Sequence, residues 1–140
     1  MATLLGTKAI ATVSARLGLG LVEVISEYAL GAALALNDVL EMVKVPKGAR
    51  IFDGWLNVPD LDTNGSPAII LSVGDGGSTA RYLSASNIGQ AGGFARFAVA
   101  AGFGYTYTAN DTVDILVATG PATGATSGTL TLALRYTTDP

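Results

Sequence analysis

Residues 34–74, LALNDVLEMVKVPKGARIFDGWLNVPDLDTNGSPAIILSVG, decide the fold class. Three apolar runs lie in this stretch. The first, Val39–Val45, is rich in β-formers, with Leu40, Met42 and Val43 falling on both faces. The second, Ile51–Val58, sets Phe52, Leu56 and Val58 on one parity and Asp53 and Asn57 on the other, with Trp55 on the polar side. The third, Pro67–Gly74, aligns Ile69, Leu71 and Val73 on one face. Pro46-Lys47-Gly48 separates the first two runs, and Asp60-Leu61-Asp62-Thr63-Asn64-Gly65 separates the last two. Runs with period near two, bounded by Pro, Gly, Asn and Asp, spell successive β-strands.

The same grammar extends outward. Upstream, Val22, Val24, Tyr28 and Leu30 share one parity, interrupted by Ser26, while Glu23, Ile25 and Glu27 share the other. Downstream, strands are expected at 94–100, 104–108, 112–118 and 128–137. In the last two, Val113, Ile115 and Val117, then Leu130, Leu132, Leu134 and Tyr136, alternate with polar residues. With 22–30, 38–45, 51–58 and 67–74 the count is eight. No long amphipathic helix lies between them, so the expected fold is all-β, a jelly-roll-like β-sandwich of about eight strands. The alternation at both ends places the first and last strands inside the sandwich. The segment 75–93, DGGSTARYLSASNIGQAGG, is a long loop in which Ala80–Ile88 admits a helical turn or two. Residues 1–20 have no clean period and are interrupted by Gly6, Gly18 and Gly20. They suit an extended arm or a short helix over Ala9–Leu17. The expected organisation is an N-terminal arm, 1–20, and one β-sandwich domain, 21–140.

A chain of 140 residues supports a core without staples. It has no cysteine, so neither a disulfide framework nor a thiolate metal site forms, and no histidine, which removes the commonest general base. Eight basic and eleven acidic residues give a net charge of −3, without the clustered basic footprint of a nucleic-acid surface. No apolar run is long enough to span a bilayer as a helix. Charged residues make up only 14% of the chain, against an average of about 25%. One reading is a Thr/Ser/Gly-rich β protein whose surface is carried by neutral polar residues; the other, which is favoured, is that much of the surface meets other subunits.

Candidate chemistry is sparse. Asp60-x-Asp62-x-Asn64-Gly65 matches the opening of a calcium loop, but the twelfth position is Leu71 instead of Glu and the flanks are strands. The same residues are good turn formers, which is the reading adopted. Gly74–Thr79 lacks the Lys of a P-loop and reads as a turn. The carboxylate pairs Glu23/Glu27 and Asp60/Asp62 fall on expected exposed faces or turns, without a cleft to raise a pKa. Phe94, Phe97, Phe103, Tyr105 and Tyr107 form an aromatic cluster that suits a core, with sugar stacking as the rival use. The expectation is a protein with no catalytic residues, no metal and no cofactor.

One pattern carries a resemblance. Leu36-Asn37-Asp38-Val39-Leu40-Glu41, then Val45-Pro46-Lys47-Gly48-Ala49-Arg50-Ile51, then Asp60–Ala68 and Leu71-Ser72-Val73-Gly74 together resemble tailed-bacteriophage head decoration (cement) proteins and similar small virion structural proteins. The turn Asn110-Asp111-Thr112-Val113 and the final Leu-Thr-Leu strand suit that type. The resemblance implies a jelly-roll-like subunit on the outer capsid surface of a virion, clamping neighbouring major capsid proteins. Its partners are then the major capsid protein and further copies of itself, a trimer being favoured and a dimer the competitor, with neither nucleic acid nor membrane. The expected interface residues are Leu4, Leu5, Ile10, Val13 and Leu17 of the arm, Trp55, and Tyr82 and Leu83 of the long loop. The rival from another class is a tail receptor-binding or carbohydrate-binding head.

Overall fold

The computed structural model describes residues 2–6 and 21–138. Nine strands are present among them: β1 (Thr3–Gly6), β2 (Leu21–Ala29), β3 (Val39–Val45), β4 (Ala49–Val58), β5 (Ile70–Gly74), β6 (Leu83–Ser86), β7 (Gly93–Arg96), β8 (Asp111–Thr119) and β9 (Thr129–Thr138). They form a five-stranded sheet, ordered β1-β3-β8-β5-β6, and a four-stranded sheet, ordered β2-β9-β4-β7. Without β1 the antiparallel pairs are nested: β2 with β9, β3 with β8, β4 with β7, β5 with β6. The chain runs out to the β5–β6 hairpin, returns alongside itself, and is rolled so that successive pairs fall in alternate sheets. That is a jelly roll, as the alternation predicts, with one strand added.

The core lies between the sheets and follows the expected parities. Ile69, Leu71 and Val73, then Val113, Ile115 and Val117, then Leu130, Leu132, Leu134 and Tyr136 are all buried there. Ser26 is fully buried on the inward parity of β2. Opposite it sits Gly6, where a Cβ would lie 2.8 Å from both the Ser26 hydroxyl oxygen and the Met42 sulfur. A side chain there would have to displace Met42 or Ser26.

Several expectations need correction. Phe52 does not share a face with Leu56 and Val58. A β-bulge between Ile51 and Asp53 inserts one residue, so Ile51 points inward and Phe52 is 44% exposed. Residues 83–86 form β6 instead of a helical turn, and a short 3-10 turn follows at Ile88–Gln90. The strand expected over 94–100 ends at Arg96, with a 3-10 turn at Ala100–Gly102. Residues 104–108 form no full strand. They line the start of β4 through the Arg50–Thr106 bridge and bonds such as Ile51 N–H to Tyr105 O at 3.0 Å. The first strand of the sandwich proper, β2, is an edge strand among the described residues, whereas β9 is interior.

Within the expected arm, β1 adds to the five-stranded sheet in parallel with β3, Leu4 opposite Leu40. Asp38 pins it: one carboxylate oxygen accepts the Ala2 N–H at 3.0 Å and the other accepts the Ala35 N–H at 2.9 Å. Asn37 makes this turn with a positive φ of 68°, a conformation Asn tolerates better than most residues. Ile10, Val13, Leu17 and the helix considered over Ala9–Leu17 lie outside the described residues.

Candidate interface

The outer face of the four-stranded sheet is built by register. Glu23 on β2 lies opposite Arg135 on β9, which lies opposite Asp53 on β4. The next row is Ile25, Ala133, Trp55 and Arg96, and Arg96 reaches back toward Asp53. Beyond it run Glu27, Thr131, Asn57 and Phe94. Glu23, Arg135 and Asp53 alternate in sign along one row, and Arg96 lies in the next. Glu23 lies 3.7 Å from Arg135 and Asp53 lies 3.8 Å from Arg96, loose surface pairs that contribute little stability. Beside them is an apolar stripe. Trp55 is half-buried, its ring 5.6 Å from that of Phe94. Phe94 is 57% exposed and Ile25 50%. A tilted aromatic pair next to an exposed aliphatic side chain is a surface a partner would desolvate.

The expected interface residues divide. Trp55 lies on this face. Leu5 is exposed on β1, while Leu4 turns inward and packs on the core. Tyr82 and Leu83 are buried in the chain's own sandwich, Tyr82 stacked on Phe97 with ring centroids 5.0 Å apart. Sequence reasoning missed Ile25 and Phe94 as members of the face. Ile25 shares the outward parity of Glu23 and Glu27, which is legible; that Phe94 lies diagonal to Trp55 needs the β4–β7 register.

The carboxylates singled out in sequence mostly organise loops. Asp60, Asp62 and Asn64 each accept an N–H two residues ahead, from Asp62, Asn64 and Ser66, at 3.0, 3.4 and 2.9 Å. This is a run of Asx turns. Asp62 is buried, contrary to the expectation of exposure, and gathers two loops. Its oxygens also accept the N–H groups of Ala68, Ile69, Ala122 and Thr123 at 2.7, 3.2, 2.8 and 2.8 Å. Burial pushes its pKa up, but the main-chain donors outweigh burial and hold it well below the usual carboxylate range. An acid so held is the opposite of a poised general acid.

Asp75 anchors the Gly74–Thr79 turn in the same way. It accepts the Gly77 and Ser78 N–H groups at 2.9 and 2.8 Å, the Arg81 Nε–H at 2.5 Å and the Tyr107 hydroxyl at 2.9 Å. The Tyr82 and Tyr107 hydroxyls are 2.7 Å apart, and the Arg81 guanidinium stacks 3.6 Å from the Tyr105 ring centre. Burial works to raise the Asp75 pKa; Arg81 and the other donors bring it down. The aromatic cluster is thus split. Phe97 and Tyr107 belong to the core, and Phe94 and Phe103 are exposed.

Asp114 is different. It sits on β8 opposite Glu41 of β3 and Gly74 of β5, and its Oδ1 is buried without a hydrogen-bond partner. Burial pushes its pKa up to about 7; Thr112 lowers it, while the charges of Glu41, Asp111 and Asp75 add to the rise. The folded state therefore holds a proton that the unfolded chain releases at its ordinary 3.8. The stability this confers is fully present below about pH 4 and is lost as pH rises through about 7. Asp114→Asn is expected to raise the melting temperature by a few degrees at pH 8 and to change it little at pH 4. Thermal melts across that range check it, and an unchanged melting temperature at pH 8 counts against it.

Among the described residues, no three acidic side chains converge as a metal site. The buried polar groups described above hold the chain's own loops, and the outer face of the four-stranded sheet is part apolar. The chain is similar to a chain of the capsid of Ralstonia phage GP4, with 29% identity over 99% of each chain and a TM-score of 0.87. It is also similar to a chain of the cyanophage Pam1 capsid asymmetric unit, with 34% identity over 95% of this chain and 97% of that one and a TM-score of 0.77. No protein-family model and no curated protein matches it. The chain belongs to the family of these phage capsid chains and is a structural protein of a phage virion.

Proposed function

We propose that the chain is a capsid decoration (cement) protein that binds the outside of the phage head, bridges neighbouring major capsid proteins, and catalyses no reaction. The observation that supports this best is a small sandwich with a closed core that leaves an apolar stripe of Ile25, Trp55 and Phe94 on one outer sheet face. Such a unit completes itself and adds to a shell; a wall-forming tile needs extended elements to span its neighbours. Low charge and a surface of Thr, Ser and Gly suit burial against several subunits. The protein acts as a homo-oligomer. Residues 1–20 serve as a docking arm, with Leu5 exposed at its described end.

The test uses heads assembled without this protein. Purified protein is expected to bind them and to raise the temperature at which they release DNA. A chain lacking residues 1–20 is expected to stay folded by circular dichroism and to bind more weakly. Heads that neither bind the protein nor gain heat resistance contradict the decoration role; equal binding by the truncated chain removes the arm from it.

A further inference from the structure

We propose that Asn64-Gly65, in the connection between β4 and β5, is a modification site at which the folded chain converts its own carboxamide to an aspartyl or isoaspartyl acid. Of the five asparagines, Asn64 alone precedes glycine; Asp38, Val58, Ile88 and Asp111 follow the others. The turn does not require that glycine sterically. Gly65 is not among the residues with positive φ, and a Cβ added to it would meet nothing within 4 Å. What glycine supplies here is a main-chain nitrogen with no side chain crowding it, next to the Asn64 carboxamide.

The turn prepares both reacting groups. Asn64 and Gly65 are exposed, so solvent reaches them. The Asn64 Oδ1 accepts the Ser66 N–H at 2.9 Å, which folds the carboxamide back along its own main chain, past Gly65. The same N–H stabilises the negative charge that develops on Oδ1 when its carbon is attacked. The Asn64 Nδ2 donates to the Thr123 hydroxyl at 2.9 Å and the Asn64 N–H to Asp62 at 3.4 Å, so the carboxamide is held in one orientation. An unfolded chain has to find that orientation each time.

The chemistry needs only water. The Gly65 nitrogen gives its proton to solvent hydroxide and bonds to Asn64 Cγ. The bond from Cγ to Nδ2 breaks, and ammonia leaves with a proton taken from water. Water then opens the resulting cyclic imide at either carbonyl. Attack at Cγ leaves an ordinary aspartate; attack at the main-chain carbonyl leaves an isoaspartyl link, with the chain routed through the former side chain. In both products a carboxylate stands near buried Asp62 and the Nδ2 donor to Thr123 is gone. The isoaspartyl link also moves Ser66 off its acceptor. The reaction therefore ages the junction of the two loops that Asp62 and the Thr63 N–H to Thr123 O bond hold together.

The test uses the isolated protein, so its outcome is separate from head binding. The unmodified chain is held in warm, mildly alkaline buffer, and samples are digested and mapped by mass spectrometry with isoaspartyl detection. Product is expected at position 64 ahead of the other four asparagines, and at least as fast in the folded chain as in the same chain unfolded in guanidinium. Gly65→Ala is expected to slow conversion several-fold without moving the thermal melt, because the added methyl crowds the nitrogen and touches nothing else. Converted protein is expected to melt several degrees below the fresh chain. Conversion first at another asparagine, slower conversion in the folded chain than in the unfolded one, or an unchanged rate in Gly65→Ala overturns the proposal. Converted protein that melts with the fresh chain overturns the weakening of the junction.

Discussion

Asp62→Ala is expected to lower the melting temperature by about 10 °C. Asp62 lies in a turn far from the centre of the sandwich, yet it is buried and its two oxygens take the N–H groups of Ala68, Ile69, Ala122 and Thr123. Removing the carboxylate leaves those four main-chain donors without their acceptor. The connection into β5 and the loop between β8 and β9 then lose the carboxylate that joins them and keep only bonds such as Thr63 N–H to Thr123 O and Ala125 N–H to Leu61 O. Asp62→Asn offers one acceptor oxygen in place of two and is expected to fall between. The sign of the pH dependence follows from the lowered pKa: this contribution is present above the ordinary value of 3.8 and is lost as pH falls through the folded-state value. A thermal melt of Asp62→Ala within a degree or two of the unmodified chain means that Asp62 does not fasten the loops.

Asp75→Ala is the second large effect. The side chain of Asp75 is nearly inaccessible, and that of Arg81 is 17% exposed. Truncating the acid leaves a largely buried guanidinium without its partner and the Tyr107 hydroxyl without its acceptor, a loss of about 3–5 kcal/mol. Gly74 reinforces the point, since a Cβ there would lie 2.1 Å from the Ser78 carbonyl oxygen; the turn closes tightly around Asp75. Asp75 also has a lowered pKa, so its contribution likewise fades in acid. Asp114 works in the opposite direction. Acid unfolding of the Asp75→Ala chain, which lacks one acid-sensitive contribution, is expected to be shallower than that of the unmodified protein. Urea unfolding at pH 7 and at pH 3 measures both, and equal stability of the two chains at pH 7 counts against the anchoring role of Asp75.

Where one face of a strand meets the core, the alternation of residues is sufficient to read it. β8 and β9 carry period-two patterns, and their inward residues are those expected. The failures have local causes. The bulge at Phe52 leaves no mark in composition, because it is set by the pairing of β4 with β9. β6 has the sequence Leu-Ser-Ala-Ser, with Ala85 at a positive φ of 49°, and nothing in its side chains favours a strand; the edge of β5 imposes one. Asp62 and Asp75 look like ordinary turn residues because their partners are largely main-chain N–H groups, several from distant positions, which side-chain patterns do not report. The interface is legible only in part. Trp55 and Ile25 stand out by parity, whereas the charged row of Glu23, Arg135 and Asp53 exists only once β2, β9 and β4 lie side by side. Tyr82 and Leu83 read as interface residues because a Gly/Ser-rich segment of that length suggests an open loop; β6 folds the segment back onto the sandwich and buries both.

A jelly roll that decorates the outer surface of a phage head must be reachable from outside it. Cryo-electron microscopy of intact virions, with an antibody fragment against this chain as a marker, settles whether it is. The expected image has marked density distributed over the outer faces of the icosahedral head, seated where major capsid proteins meet. Density confined to the tail tip, or virions whose heads stay unmarked because the chain is enclosed within the shell wall, would rule out a decorating role.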